Sequence, residues 1–169
     1  DAAPAIFTID ASAKPARITA KTVVTRDGKP AEKLDLEGIA ADPAGGFWLA
    51  SEGNPEKDLP GAVLHVDAKG AITREFDLPK ELAGQATRFG FEGVELIDGK
   101  LWLAVQREWK DDPKDQVKLL QLDPETGAWA GLRYPIGTGK GWVGLSDLAA
   151  HGDHLYLIER DNLLGEAAA

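Results

Sequence analysis

Acidic residues fall at matched places along this chain. Glu37, Glu92 and Asp147 stand near the start of three similar segments, and Glu52, Glu108, Glu159 and Asp161 stand where similar segments end. Carboxylates that converge from separate segments form a hard, oxygen-only donor set of the kind Ca2+ takes, with about six to eight ligands in loose geometry. Arg88, Arg107, Lys140 and Arg160 are interleaved with them and suit the phosphate or carboxylate of an anionic small-molecule substrate. Together these types point to metal-assisted hydrolysis. The competing reading is that the glutamates pair across neighbouring elements and that the loop charges are solvated.

The elements that must position these groups are repeated. Leu36-Glu37-Gly38-Ile39-Ala40-Ala41-Asp42-Pro43-Ala44-Gly45-Gly46-Phe47-Trp48-Leu49-Ala50-Ser51-Glu52 returns as the stretch from Phe91 to Gln106 and, more weakly, from Leu145 to Glu159. Trp48, Trp102 and Tyr156 keep the register at steps of 54 residues. Each copy reads as strand, tight turn, strand. Asp42 to Gly46, Asp98-Gly99 and Gly152-Asp153 carry the turn chemistry, and apolar runs such as Leu101-Trp102-Leu103-Ala104-Val105 predict strands covered on both faces. Between copies lies a second hairpin, at 62–76 and again at 117–134, with His65 as a packed or edge histidine. Four antiparallel strands per period make one blade of a β-propeller. The expected fold is therefore all-β: an extended lead-in over 1–16, then a partial propeller over 17–169, with blade one at about 36–79, blade two at about 91–135 and half of blade three at about 145–162. Two and a half blades do not close a ring, so the remainder is expected from the same polypeptide or from a second chain.

In such a blade the start of the first strand and the end of the second share a rim. That step gathers Glu37, Glu92 and Ser146-Asp147 with Glu52, Gln106-Arg107-Glu108 and Glu159-Arg160-Asp161-Asn162. The long connections, Gly53–Asp58, Trp109–Asp115 and Gly137–Gly141, lie on the same side, and long loops on a rigid scaffold are where sites sit.

With a net charge of −9 the chain is a poor match for nucleic acid or an anionic membrane surface. It has no cysteine, so disulfides, thiolate metal sites and cysteine nucleophiles are excluded. It also has no methionine, and it opens Asp1-Ala2-Ala3-Pro4-Ala5, the small-residue start left when a signal peptide is removed. A periplasmic or secreted location is expected.

Other motifs carry less. Gly144-Leu145-Ser146-Asp147-Leu148 lacks the second glycine and the helix of a nucleophile elbow. Gly137-Thr138-Gly139-Lys140-Gly141 resembles a phosphate loop only in composition. His151 and His154 flank a turn at the far rim and make a poor zinc site. Trp48, Trp102, Trp129 and Trp142 read as core, whereas Trp109, amid loop charges, reads as a candidate ligand platform.

The ordered series Leu36-Glu37-Gly38 with Ser51-Glu52, Gly90-Phe91-Glu92-Gly93-Val94, and Leu145-Ser146-Asp147-Leu148 with Ile158-Glu159-Arg160-Asp161-Asn162 resembles the phytase-like esterase family of bacterial exported proteins. The resemblance runs from about Leu36 to Asn162. It implies a propeller, export, metal-assisted phosphoester or ester hydrolysis, and rim roles for Glu37, Glu92, Asp147, Glu159, Arg160 and Asp161. The resulting scheme gives Glu37, Glu92 and Asp147 to Ca2+. Glu159 or Asp161 orients water or metal, and Arg107, Arg160, Lys140 and Arg88 hold the anionic group. The alternative of another class is a noncatalytic propeller that binds a protein or small molecule on the same rim.

Overall fold

The computed structural model describes residues 3–163; Asp1, Ala2 and residues 164–169, which belong to the Ala-rich start and tail, lie outside the described residues. The chain is all-β apart from a 3-10 turn at Pro55–Lys57 and one short helix, α1 (Lys80–Ala83). A hairpin of β1 (Ala5–Asp10) and β2 (Arg17–Val23) comes first, so part of the expected lead-in is a paired strand. A short ribbon follows, β3 (Thr25–Arg26) with β4 (Lys29–Pro30). Sheet one is β5 (Leu36–Ala41), β6 (Phe47–Ser51), β7 (Ala62–Val66) and β8 (Ile72–Asp77), paired in sequence order. Sheet two is β9 (Phe91–Ile97), β10 (Lys100–Val105), β11 (Gln116–Leu122) and β12 (Trp129–Pro135), also in order. The last pair is β13 (Val143–His151) with β14 (His154–Asp161).

All strand pairs are antiparallel and joined by hairpins, as the turn residues require. Asp98 and Gly99 both have positive φ, 49° and 74°, the backbone of a two-residue hairpin turn whose twist matches its strands.

The sheets stack on one another through their first strands. β9 packs against β5 and β6 on one side and against β13 on the other. Glycine permits this approach: a Cβ on Gly38 would lie 2.8 Å from the Val94 nitrogen, and one on Gly93 would lie 2.9 Å from the Leu148 nitrogen. Alternation along the strands then sends successive side chains to different cores. Trp48, Ala50 and Val63 of sheet one meet Phe91, Val94, Leu101, Leu103 and Leu120 of sheet two. The opposite face of sheet one, with Leu49, Leu64 and Val66, packs on Val24, Ala31 and Ile6. The far face of sheet two, with Ala104, Val117 and Leu119, packs on Leu145, Leu148, Leu155 and Leu157.

Full coverage of the apolar runs, expected for all three copies, holds for β6 and β10 but not for β14. Tyr156 and Ile158 are exposed there, because no described strand covers the outer face of that hairpin. Two tryptophans also differ from expectation. Trp142 is only half-buried, between Phe89 and the Arg107 guanidinium. Trp109 is core: it is buried, its indole N–H donates 2.9 Å to the Phe89 carbonyl, and Lys118 sits over its ring.

Candidate functional site

Three hairpins carry the same irregularity at the same place. The pairing of β5 with β6 jumps from Leu36 to Gly38, that of β9 with β10 from Phe91 to Gly93, and that of β13 with β14 from Leu145 to Asp147. The skipped residues are Glu37, Glu92 and Ser146. A bulge adds one residue to a strand and re-aims its side chain, so Glu37 and Glu92 point out of the ladder to the rim where β6 and β10 end.

There they line a cleft of about 370 Å³ with Asp35, Glu52, Asn54, Lys57, Arg88, Phe89, Gln106 and Arg160. One carboxylate oxygen from each of Asp35, Glu37 and Glu52 lies within 4.8 Å of the others. Their backbone is held in place: the Glu52 amide donates 2.8 Å to the Asp35 carbonyl, and the Asp35 amide donates 3.0 Å to the buried Ser51 hydroxyl. The Gly90 amide donates 3.3 Å to the Glu52 carboxylate. Glu92 is buried and accepts from the side-chain amide of Gln106, also buried.

Crowding of like charge in a poorly solvated cleft opposes ionisation. Burial, then the charges of Glu52 and Glu37, push Glu92 up to about 7. Glu37 is raised by burial and by Asp35, with Arg160 acting against the shift. Glu52 is raised by burial and by Asp35 and Glu37, while the Gly90 N–H and Arg88 oppose it. Such a set gains a great deal from a bound cation.

The structure therefore brings together Glu37, Glu92, Arg88 and Arg160 from the expected site. The remaining expected residues are placed elsewhere. Asp147 accepts from the Leu148 amide at 2.8 Å, beside Gly93 and away from the cleft-lining residues. Glu159 is engaged by the Tyr134 hydroxyl at 2.6 Å and the Gly137 amide at 2.8 Å. Alternation along β14 explains the contrast with Arg160, which faces the cleft and donates 3.2 Å to the Ser146 hydroxyl. Asp161 accepts from the Leu163 amide at 3.0 Å. Arg107 pairs with Glu108 at 2.8 Å and donates to the Val143 carbonyl. Lys140 lies exposed in the loop before β13.

Asp35 and Gln106 complete the cleft, and Glu52 belongs to its metal-competent trio. Glu52 and Gln106 were legible as the ends of matched strands. Asp35 precedes the repeated segment, and only the pairing of its backbone with Glu52 brings it in. His65 is packed, as its strand position suggested: its ring nitrogens reach the Thr73 hydroxyl at 2.6 Å and the Gly45 carbonyl at 3.2 Å.

No curated protein matches the chain. The family model for phytase-like proteins, described as esterase-like activity of phytase, matches residues 1–169, and the chain belongs to that family.

Proposed function

We propose that this chain is part of an exported β-propeller that hydrolyses a phosphate or carboxylic ester of an anionic small molecule at the acidic rim cleft, with Ca2+ as the cofactor. The observation that carries the proposal is the convergence of Asp35, Glu37 and Glu52 oxygens within 4.8 Å. Ca2+ binds oxygens at about 2.3–2.6 Å, so ligands across the ion stand about 5 Å apart, and three carboxylates at this spacing fit it. Two four-stranded meanders stacked through their first strands, with a hairpin stacked after them, support the propeller reading.

In this scheme Asp35, Glu37 and Glu52 would hold the ion, and a bound ion would supply Lewis-acid polarisation of the ester and a more acidic water. Glu92, poised near neutrality and oriented by Gln106, exchanges a proton with water at its carboxylate, because a general base works best when its pKa lies near the working pH. Arg88 and Arg160 hold the anionic part of the substrate. The test is calorimetric titration of the chelator-stripped protein with calcium, alongside hydrolysis of p-nitrophenyl phosphate and p-nitrophenyl acetate. Saturable heat, a raised melting temperature and calcium-dependent turnover of either ester are expected, all lost in Glu52→Gln. No heat at millimolar calcium overturns the metal mechanism.

A further inference from the structure

We infer that the ester taken at the acidic cleft is an anionic amphiphile, whose apolar alkyl or aryl group enters a second pocket bordered by Glu52. The inference rests on the reading above and names the substrate class of that same site. It starts from a cavity of about 480 Å³ beside the cleft, and Glu52 lines both. Their chemistry differs. Apart from Phe89, every side chain around the cleft is charged or an amide, whereas the pocket is walled by Leu59, Pro60, Leu78, Ala83, Ala86 and Trp109. Ala86 and Trp109 are buried. The charged residues at the pocket, Lys33, Asp58 and Asp77, are exposed, and Lys33 pairs with Asp58 at 3.0 Å. They stay in water at its edge.

Two chain segments serve both cavities. In the loop after β6, Asn54 and Leu59 exchange backbone hydrogen bonds of 2.7 and 3.1 Å. This tight loop gives Asn54 and Lys57 to the cleft and Pro55, Leu59 and Pro60 to the pocket. The segment before β9 divides in the same way, with Arg88 and Phe89 at the cleft and Ala86, Thr87 and Gly90 at the pocket. Trp109 fixes the two to each other, because its ring walls the pocket while its indole N–H donates 2.9 Å to the Phe89 carbonyl. Glycine keeps the base open. A Cβ on Gly61 would lie 3.1 Å from the Glu52 carbonyl oxygen, 3.5 Å from Cδ1 of Leu78 and 3.7 Å from the Phe91 ring. Gly61 does not have a positive φ, so space rather than a turn calls for glycine there.

This arrangement decides between substrate classes. A compact polyanion could meet the cleft carboxylates' ion, Arg88 and Arg160, but it has no apolar part to put against Leu59, Leu78 and Trp109. An amphiphile uses both cavities. A ligand that spans them passes Glu52, one of the three carboxylates whose oxygens converge, so the head lies with the charged groups and the apolar group leaves water. The pocket's volume falls within the range of about 300–1,000 Å³ typical of small-molecule sites, and each methylene it buries strengthens binding about fourfold. The other apolar groove, over β11 and β12 with Leu82, Trp129 and Leu132, shares no residue with the cleft.

The test is calorimetric titration, in millimolar calcium, with methylphosphonate and octylphosphonate, which carry the same head and cannot be hydrolysed. Octylphosphonate is expected to bind at least about tenfold more tightly. Ala83 is exposed at the end of α1, and Ala83→Trp, which fills the pocket, is expected to bring the two affinities together. Leu59→Glu, which puts a charge on the opposite wall, is expected to do the same and serves if the first variant does not fold. Leu132→Glu, in the other groove, is expected to keep the preference. Equal binding of the two phosphonates by the unaltered protein, or binding of neither, overturns the inference. So does a preference that survives Ala83→Trp or Leu59→Glu, or one that Leu132→Glu removes. The proposed activity fails separately, by the absence of calcium heat, and it stands where calcium binds and the two phosphonates bind alike.

Discussion

The side-chain amide of Gln106 donates to Oε1 of Glu92, and both residues are buried at the mouth of the acidic cleft. Glu92 titrates at about 7 when folded against an ordinary value of 4.5. Across that window the folded chain holds a proton that the unfolded chain has released. Stability therefore falls as pH rises from about 4.5 to 7, by at most about 3 kcal/mol. Glu92→Gln keeps an oxygen to accept from Gln106 but removes the titration. It is expected to raise stability at pH 8 by about 1–3 kcal/mol, to flatten the pH profile of urea unfolding, and to weaken calcium binding. An unaltered profile would show that another group titrates.

The same cleft depends on a missing side chain. A Cβ on Gly90 would lie 1.8 Å from the Glu52 backbone oxygen, and no movement of a flexible group relieves that. Gly90→Ala is expected to destabilise by about 3 kcal/mol and to displace the Glu52 carboxylate, which the Gly90 amide supports. Calcium heat should fall in whatever fraction remains folded. Equal stability in the variant would show that the Glu52 segment adapts freely.

These two positions mark how far the sequence could be read. Strand order was legible because Asp98-Gly99 and its counterparts punctuate alternating apolar runs, and a shared rim for Glu37, Glu52, Glu92 and Gln106 followed from strand direction alone. What alternation could not show was the bulge. One extra residue at Glu37, Glu92 and Ser146 decides which of two adjacent side chains leaves the ladder, so Asp147 seemed equivalent to Glu92 although Asp147 occupies the Gly93 position. In β14 the same ambiguity made Glu159 and Asp161 look functional, whereas alternation gives the cleft to Arg160. Trp109 misled for another reason: loop charges around a tryptophan look like solvent exposure, but here Lys118 pairs with them over the ring.

That pairing is a network with a testable cost. The Lys118 ammonium lies 2.7 Å from Asp111 and 2.5 Å from Asp112, whose side chain has no exposure. Arg133 adds contacts to the same two acids at 3.1 and 2.9 Å. Removing one partner leaves a buried charge short of compensation, and Lys118→Met is expected to destabilise by about 2–4 kcal/mol. The hydrogen bond from Lys118 also holds Asp111 below its ordinary 3.8. Its contribution is complete above that value and is lost as pH falls through the lowered folded value. The variant should therefore lose less stability on acidification below about pH 4 than its parent does.

Structure and activity separate most cleanly at the two ends of sheet one. At the end far from the cleft, the Trp48 indole donates 3.0 Å to Oδ2 of Asp42, Oδ1 of Asp42 accepts from the Ala44 amide at 2.8 Å, and His65 lies 3.2 Å from Oδ2 while its other nitrogen meets Thr73. One carboxylate thus ties the β5–β6 turn to β6 and β7, with β8 joined through the histidine. Asp42→Ala leaves the buried Trp48 indole without its acceptor, while His65 keeps the Thr73 hydroxyl and the Gly45 carbonyl, and is expected to lower stability by about 1–3 kcal/mol. Because the turn stands at the opposite rim from Asp35, Glu37 and Glu52, calcium heat and ester turnover of the folded protein should not change. Glu52→Gln should do the reverse, abolishing calcium heat while relieving the crowding that raises Glu92. A loss of calcium binding in Asp42→Ala at temperatures where it remains folded would place the ion outside the proposed cleft.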